Sequence, residues 1–384
     1  MKNRVGLITY HFLHNYGTML QAYALQSKIR AWGYEAEYID YRFKELTQSP
    51  SNRLITRFKR VGYYLGNYKY YYIKAMHSSK MSIRKAQFDD FYLKNIRTGL
   101  LQYATLQELE ANPPEYDIYI VGSDQVWNPN LSCSSPAYFL SFIKKDDSKK
   151  AAYAPSIGVA SLTTSQEQKI ARHIRKFDFL SCREITGSRL LENMGGRNVL
   201  HVLDPTFLLE ADRWEDVMVR PKIAEPYILC YFLGDTKHPR EYVRELEKKT
   251  GIKAYYIPSS PLDMARKTAI FDAGPAEFLG LIRNASYVCT DSFHGSVFSI
   301  IFKKQFYSFC KRSDNEQTSD NIRIKELLKS AGLEARLINP GQQMRDDESN
   351  INFDLVNSHI MPMKERSEEY LLEILRSKGQ THVT

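Results

Sequence analysis

With 384 residues, 43% of them hydrophobic and 25% charged, the chain has the composition of an ordinary soluble globular protein and the length for two domains. No run approaches the about 18 apolar residues of a membrane helix. The apolar N-terminus is interrupted by His11, His14, Asn15 and Gln21, so it reads as a first strand and helix rather than a signal peptide. Five cysteines, odd in number and without metal-ligand or redox spacing, point to a reducing compartment, the cytoplasm. The net charge of +9 is local: from Arg53 to Arg97 eleven Lys and Arg face only Asp89 and Asp90. One basic surface follows, not a generally basic protein.

Taken in order, Arg4 to Tyr10 reads as a strand, and the apolar spacing predicts a helix over Gly17–Trp32, stopped by Gly33. Ala36 to Tyr41 is a second strand, so the chain opens as a βαβ unit with a right-handed crossover. It carries neither G-x-G-x-x-G nor a Walker A pattern, which removes those two nucleotide fingerprints. Residues 46–100 read as an inserted helical unit in which seven tyrosines mix with the basic residues. Such mixing suits an anionic membrane interface or single-stranded nucleic acid, and equally a solvated helical hairpin that covers the sheet. Strands are predicted over Asp117–Val121, Lys150–Ala154, Phe177–Cys182 and Val199–Leu203, with helices over Thr164–Lys176 and 184–194. From Glu210 the pattern restarts, with strands at Tyr227–Leu233, Ala254–Ile257, Tyr287–Thr290 and a last one at Phe306–Cys310. Helices lie between them and, in the tail, near 321–331 and 364–377. The alternation predicts an α/β protein of two doubly wound, Rossmann-like domains facing a cleft, residues 1–208 and 209–384.

The segment Tyr287 to Phe302 is the most informative. A buried strand runs into Asp291-Ser292, good N-cap residues, and then into a helix with His294 in its first turn. Asp291 has a plain structural reading as a cap and His294 as a packed side chain. Yet ligands of open α/β sheets sit beyond the carboxyl ends of strands, and helix N-termini offer free N–H groups to anions. Asn15, Ser123, Asp124, Arg183, Asp235, Ser259, Asp291, His294, Lys311 and Arg312 all fall just past predicted strand ends. Arg183, Lys311 and Arg312 would make a cationic pocket for phosphate or carboxylate. Small polar residues after Val121, with Gln125 and Trp127 beside them, mark a second place where a site is usually built.

These motifs resemble the polysaccharide pyruvyl transferase family over most of the chain. The matching stretches are Asn15-Tyr-Gly-Thr-Met-Leu-Gln-Ala-Tyr-Ala-Leu25, Asp117 to Pro129, Tyr153-Ala-Pro-Ser-Ile-Gly158, Ser181-Cys-Arg-Glu184, Asp204-Pro205 and Thr290 to Ser299. The resemblance implies a GT-B-like fold and transfer of a pyruvyl group from phosphoenolpyruvate to two hydroxyls of a sugar, giving a cyclic ketal. It implies His294 as the acid near the donor, with Asp124 or Asp291 accepting a hydroxyl proton. Arg183, Ser292, Lys311 and Arg312 fall to the donor, and Asn15, Ser123, Gln125 and Trp127 to the acceptor side. One departure stands out: Ser292 occupies the place, two residues before the histidine, where such transferases usually carry arginine, and a guanidinium clamp is lost there. No metal or cofactor is expected beyond phosphoenolpyruvate as co-substrate.

The expected partners are therefore phosphoenolpyruvate and a sugar or lipid-linked oligosaccharide, with the basic segment in peripheral contact with anionic lipid at the inner face of the membrane. Nucleic acid is not expected. Two other readings stay open at this point. A GT-B-like glycosyltransferase using a nucleotide sugar is favoured by Ser292. A non-catalytic membrane or nucleic-acid binder would use residues 53–97 but has no need of His294 and Arg183 at strand ends.

Overall fold

The structure is a computed structural model and describes residues 4–43, 75–144, 148–234, 237–311, 321–344 and 349–377. Two five-stranded, wholly parallel sheets organise it. The first has the order β3-β2-β1-β4-β5, built from Arg4–Ile8 (β1), Glu35–Tyr41 (β2), Thr98–Tyr103 (β3), Ile118–Val121 (β4) and Lys149–Ala152 (β5). A bridge from Ala151 to Phe179 carries it on to the pair Ser181–Cys182 (β6) and Leu200–His201 (β7). The second has the order β12-β11-β10-β8-β9, from Tyr227–Tyr231 (β8), Lys253–Tyr256 (β9), Tyr287–Thr290 (β10), Gln305–Phe309 (β11) and Leu337–Ile338 (β12). Central strands such as Val5, Leu7 and Ile8, or Ile228, Leu229 and Cys230, are fully buried, as parallel strands covered on both faces must be.

Both sheets are doubly wound, and their order reverses between β1 and β4 and between β8 and β10. Those are the switch points at which a crevice opens past the strand ends. The α/β architecture of two doubly wound, Rossmann-like sheets is thus the one the alternation of elements predicts. The helix Tyr16–Ala31 (α1) starts at an Asn15 cap whose side chain accepts from the Thr18 N–H at 3.2 Å. Its first turn reaches into the second domain. Tyr16 is buried there, stacked on Phe278 at 4.3 Å, and its hydroxyl donates to Ala273 O at 2.7 Å.

Three elements differ from the sequence expectation. Residues 98–100, placed at the end of the helical unit, begin the edge strand β3, which runs on to Tyr103; the helix stops at Asn95. Leu337–Ile338 adds a strand after the one read as last, too short to show as an apolar run. The final helix begins at Phe353, not near 364. Asn352 caps it by accepting from the N–H groups of Asp354 and Leu355, and it runs through Pro362. Its far end returns to the first sheet, where Tyr370 OH donates to Ala152 O at 3.0 Å and Ser367 Oγ accepts from the Leu203 N–H at 2.9 Å. Of the basic, tyrosine-rich segment only residues from 75 on are described.

Candidate functional site

The carboxyl ends of both sheets meet around one buried carboxylate, Asp204. It follows β7 and caps a short turn of helix over Pro205–Leu208, where Oδ1 accepts from the N–H and the hydroxyl of Thr206 at 3.1 and 2.7 Å. Oδ2 accepts from Arg183 Nη1 at 2.8 Å and lies 3.4 Å from His294 Nε2. Ser123 Oγ is 3.3 Å away while donating to Ala154 O at 2.6 Å. Burial alone would push the Asp204 carboxyl up, but His294 and Arg183 outweigh it and hold the group well below the usual carboxylate range. Asp204 is therefore an anion that fixes two side chains arriving from other elements.

Arg183, directly after β6, is almost fully enclosed. Its Nε donates to Glu184 at 3.3 Å, and its guanidinium lies 4.2 Å over the Phe293 ring. Burial works against its charge, and Glu184, Asp204 and Asp124 more than restore it, so the guanidinium is held more firmly protonated than usual. Nη2 remains buried without a hydrogen-bond partner. Beside Arg183 a cavity of about 20 Å³, which His201 and Arg323 also line, has room for a water molecule and not for a three-carbon phosphate ester. As an anion ligand Arg183 has only the buried Nη2 uncommitted, since Nε and Nη1 are held by Glu184 and Asp204.

His294 stands in the first turn of Phe293–Ile301 (α10), as expected. Although 3.4 Å from Asp204, its Nε2 is not aligned for a hydrogen bond. The other ring nitrogen faces α1, where Gly17 has no Cβ because one would overlap His294 Nδ1. This close approach explains a glycine in the first turn of a helix that gains nothing from one by propensity. Gly17→Ala should displace His294 and cost about 1–3 kcal/mol, as overpacking does. Denaturant midpoints will show this, and an unchanged midpoint would mean the ring moves freely.

The other predicted residues divide in two. Asp124, with φ of 69°, accepts from Thr18 Oγ1 at 2.6 Å and from the Gln125 N–H at 2.8 Å. Ser123 is fully buried, its N–H donating to Gln21 Oε1 at 3.1 Å. With Asn15 at the start of α1, these surround the seam between the domains. Asp291 sits at the second switch point and spends both oxygens on the backbone, accepting from the N–H groups of Leu233 and Gly234 at 2.6 and 2.7 Å. Burial raises its carboxyl despite Lys311. Ser292 caps α10, accepting from the Gly295 N–H at 3.3 Å. The Lys311 side chain lies over Gly234, while Arg312 and Asp235 fall outside the described residues.

Trp127 and Gln125 are placed differently from a substrate contact. Trp127 is 1% exposed, stacks on Phe139 at 5.2 Å and donates Nε1–H to Tyr138 O at 2.8 Å; in this conformation it packs the core. Gln125 Oε1 accepts from Asn128 Nδ2 at 2.8 Å and shapes the turn at Gly158. The residues that sequence reasoning passed over are Asp204, seen only as a strand end and part of a matching motif, and Gly17. Among the described residues no group of three His, Cys, Asp or Glu side chains could hold a metal ion. All five cysteines are free, and no described helix is long and apolar enough to cross a membrane.

A sequence model of the polysaccharide pyruvyl transferase family matches residues 15–309. No curated protein matches the chain. Among solved structures, the chain is similar to a UDP-N-acetylglucosamine 2-epimerase from Rickettsia bellii, with 11% identity, a TM-score of 0.48 and coverage of 100% of this chain and 99% of that one. The Methanocaldococcus jannaschii UDP-GlcNAc 2-epimerase is similar at 14% identity, TM-score 0.48, covering 98% and 99%.

Proposed function

The chain belongs to the polysaccharide pyruvyl transferase family, and we propose that it moves pyruvyl from phosphoenolpyruvate onto two hydroxyls of a sugar. The observation that carries the reading is His294, in the first turn of a helix after a buried strand and 3.4 Å from a carboxylate held ionised. A histidine facing a fixed anion is suited to hold and deliver a proton. On this reading His294 protonates the methylene carbon of the donor, and positive charge develops on the neighbouring carbon. A sugar hydroxyl attacks that carbon and the C–O bond to phosphate breaks. A second hydroxyl then closes the ketal. Of the two hydroxyl protons, one replaces that given to carbon and the other leaves with phosphate, so the reaction balances without a redox partner.

Asp124 is the better placed of the two candidate bases. Its oxygens touch a side-chain hydroxyl and one N–H, whereas both Asp291 oxygens are committed to the β8 turn. Ser292 caps its helix and supplies no charge, which leaves Lys311 as the cation beside Asp291 and Gly234 for the donor. Gly17 and Asp204 enclose His294 on both ring edges, so donor access requires the seam between α1 and α10 to part. The acceptor is proposed to be a lipid-linked oligosaccharide of polysaccharide synthesis, with the basic segment near residues 53–97 against anionic lipid. Arg57, Lys59 and Arg60 lie outside the described residues.

The test is phosphate release from phosphoenolpyruvate in the presence of a panel of lipid-linked sugars, with mass spectrometry of the acceptor. A gain in acceptor mass equal to pyruvic acid less one water, at matching phosphate yield, supports the reading. Hydrolysis of a nucleotide sugar with glycosyl transfer instead would overturn it. Vesicle sedimentation at low and high salt tests the lipid contact, since exposed charges are screened.

A further inference from the structure

A cavity of about 920 Å³ opens at the edge of the first domain away from the Arg183–Asp204–His294 cluster. Phe179 and Asn198 on its wall precede β6 and β7, while Arg183 and Asp204 follow them; the cavity and the cluster are at opposite ends of the same strands. Its volume is that of a ligand cleft and not of a packing defect. Phe177, Phe179 and Tyr370 give it aromatic surface. Phe177 and Phe179 are half-buried, held edge-on by Trp127 and Tyr370.

Arg175 and Arg197 supply the charge. Both are exposed, both line the cavity, and neither makes an ion pair or hydrogen bond through its side chain among the described residues. Solvated arginines are common, but these two lack the acid that would ordinarily answer them. The nearby Asp178 is engaged, its oxygens meeting Lys149 Nζ at 3.3 Å and the Lys150 N–H at 2.9 Å. Glu373 is the other acid on the wall; the two arginines formally balance Asp178 and Glu373, and one positive charge is left over only because Lys149, outside the cavity, pairs with Asp178. Arg175 lies across Gly195, where φ is 91° and no side chain covers the guanidinium. Flat aromatic surface next to uncommitted guanidinium groups is the surface a sugar ring with a carboxylate would use.

We propose that this cavity binds an acidic glycan, separately from the catalytic cluster. The identity of the glycan rests on the pyruvyl-transfer reading, whose product carries one carboxylate per ketal; a site of this kind would hold repeats already modified while a later repeat reacts. Calorimetric titration of the full chain with tetragalacturonate, an acidic oligosaccharide, and with neutral maltotetraose tests the site without turnover. Wild type binds the acidic and not the neutral sugar, with affinity falling as salt rises. The double variant Arg175→Ala, Arg197→Ala should bind roughly tenfold more weakly with its melting temperature unchanged, since both side chains are exposed. His294→Ala should bind as wild type does. Equal binding by the double variant, loss of binding in His294→Ala, or no preference for the acidic sugar each overturns the proposal. A chain that releases no phosphate from phosphoenolpyruvate overturns the functional reading alone, because the calorimetric result does not depend on it.

Discussion

Replacement of His294 by alanine should lower turnover by about 10²–10⁴-fold, the usual contribution of a positioned acid. That is about 3–5 kcal/mol of barrier, and it should exceed the loss of folding stability. Asp204 keeps Arg183, both Thr206 donors and nearby Ser123 when the imidazole goes, so no buried charge is orphaned. The gap left beside Gly17 is lined by backbone and costs about 1–2 kcal/mol. His294→Gln is a useful companion, since it fills the space and can donate a hydrogen bond but cannot deliver a proton at neutral pH. If His294 is the acid, both variants lose turnover alike. Near-normal turnover in His294→Gln would make the residue a positioning group and return the proton to water or another side chain.

What could be read from sequence was local. Strands such as Ile118–Val121 and Tyr287–Thr290 are short apolar runs bounded by Gly, Asp or Ser, and such runs show because both faces of a parallel sheet are covered. The cap at Ser292 and the place of His294 in the first turn after it were equally legible, since both depend on neighbours within four residues. The partner of His294 was not. Asp204 is 90 positions away in the chain, and Asp-Pro reads as turn chemistry wherever it occurs. Gly17 carried a signal, a glycine in a helix whose neighbours favour helix, but its meaning lay in a ring from the other domain. Trp127 read in the opposite sense: its polar neighbours suggested a site, while it is buried against Phe139 and Phe177. The edge strand β3 was missed, its first half falling inside the helical unit, because Leu100 and Leu101 side by side show no alternation, and both remain exposed.

Arg183 offers the sharpest division between a ligand for donor and a support of the fold. Its guanidinium is buried between Asp204 and Glu184, at 2.8 and 3.3 Å, and packs on Phe293. Removing the cation by Arg183→Met leaves two buried carboxylates without it, and breaking a buried pair in this way costs about 3–5 kcal/mol. A fall in melting temperature of many degrees is expected. Arg183→Lys keeps the charge, but one ammonium cannot span both carboxylates as the fork does, so an intermediate loss should appear. The acid dependence fixes the cause. In the folded chain Asp204 is held below its ordinary range, so its contribution is fully present above the unfolded carboxylate value, near pH 4. It drains away as pH falls further, through the lower folded value. The wild type should therefore lose stability over that acid window more steeply than Arg183→Met, whose Asp204 keeps His294 and Thr206 but lacks the guanidinium. Urea midpoints from pH 6 down to the edge of acid unfolding will show converging curves if the ion pair is structural. Parallel curves with unchanged midpoints, together with weakened binding of phosphoenolpyruvate, would return Arg183 to the donor.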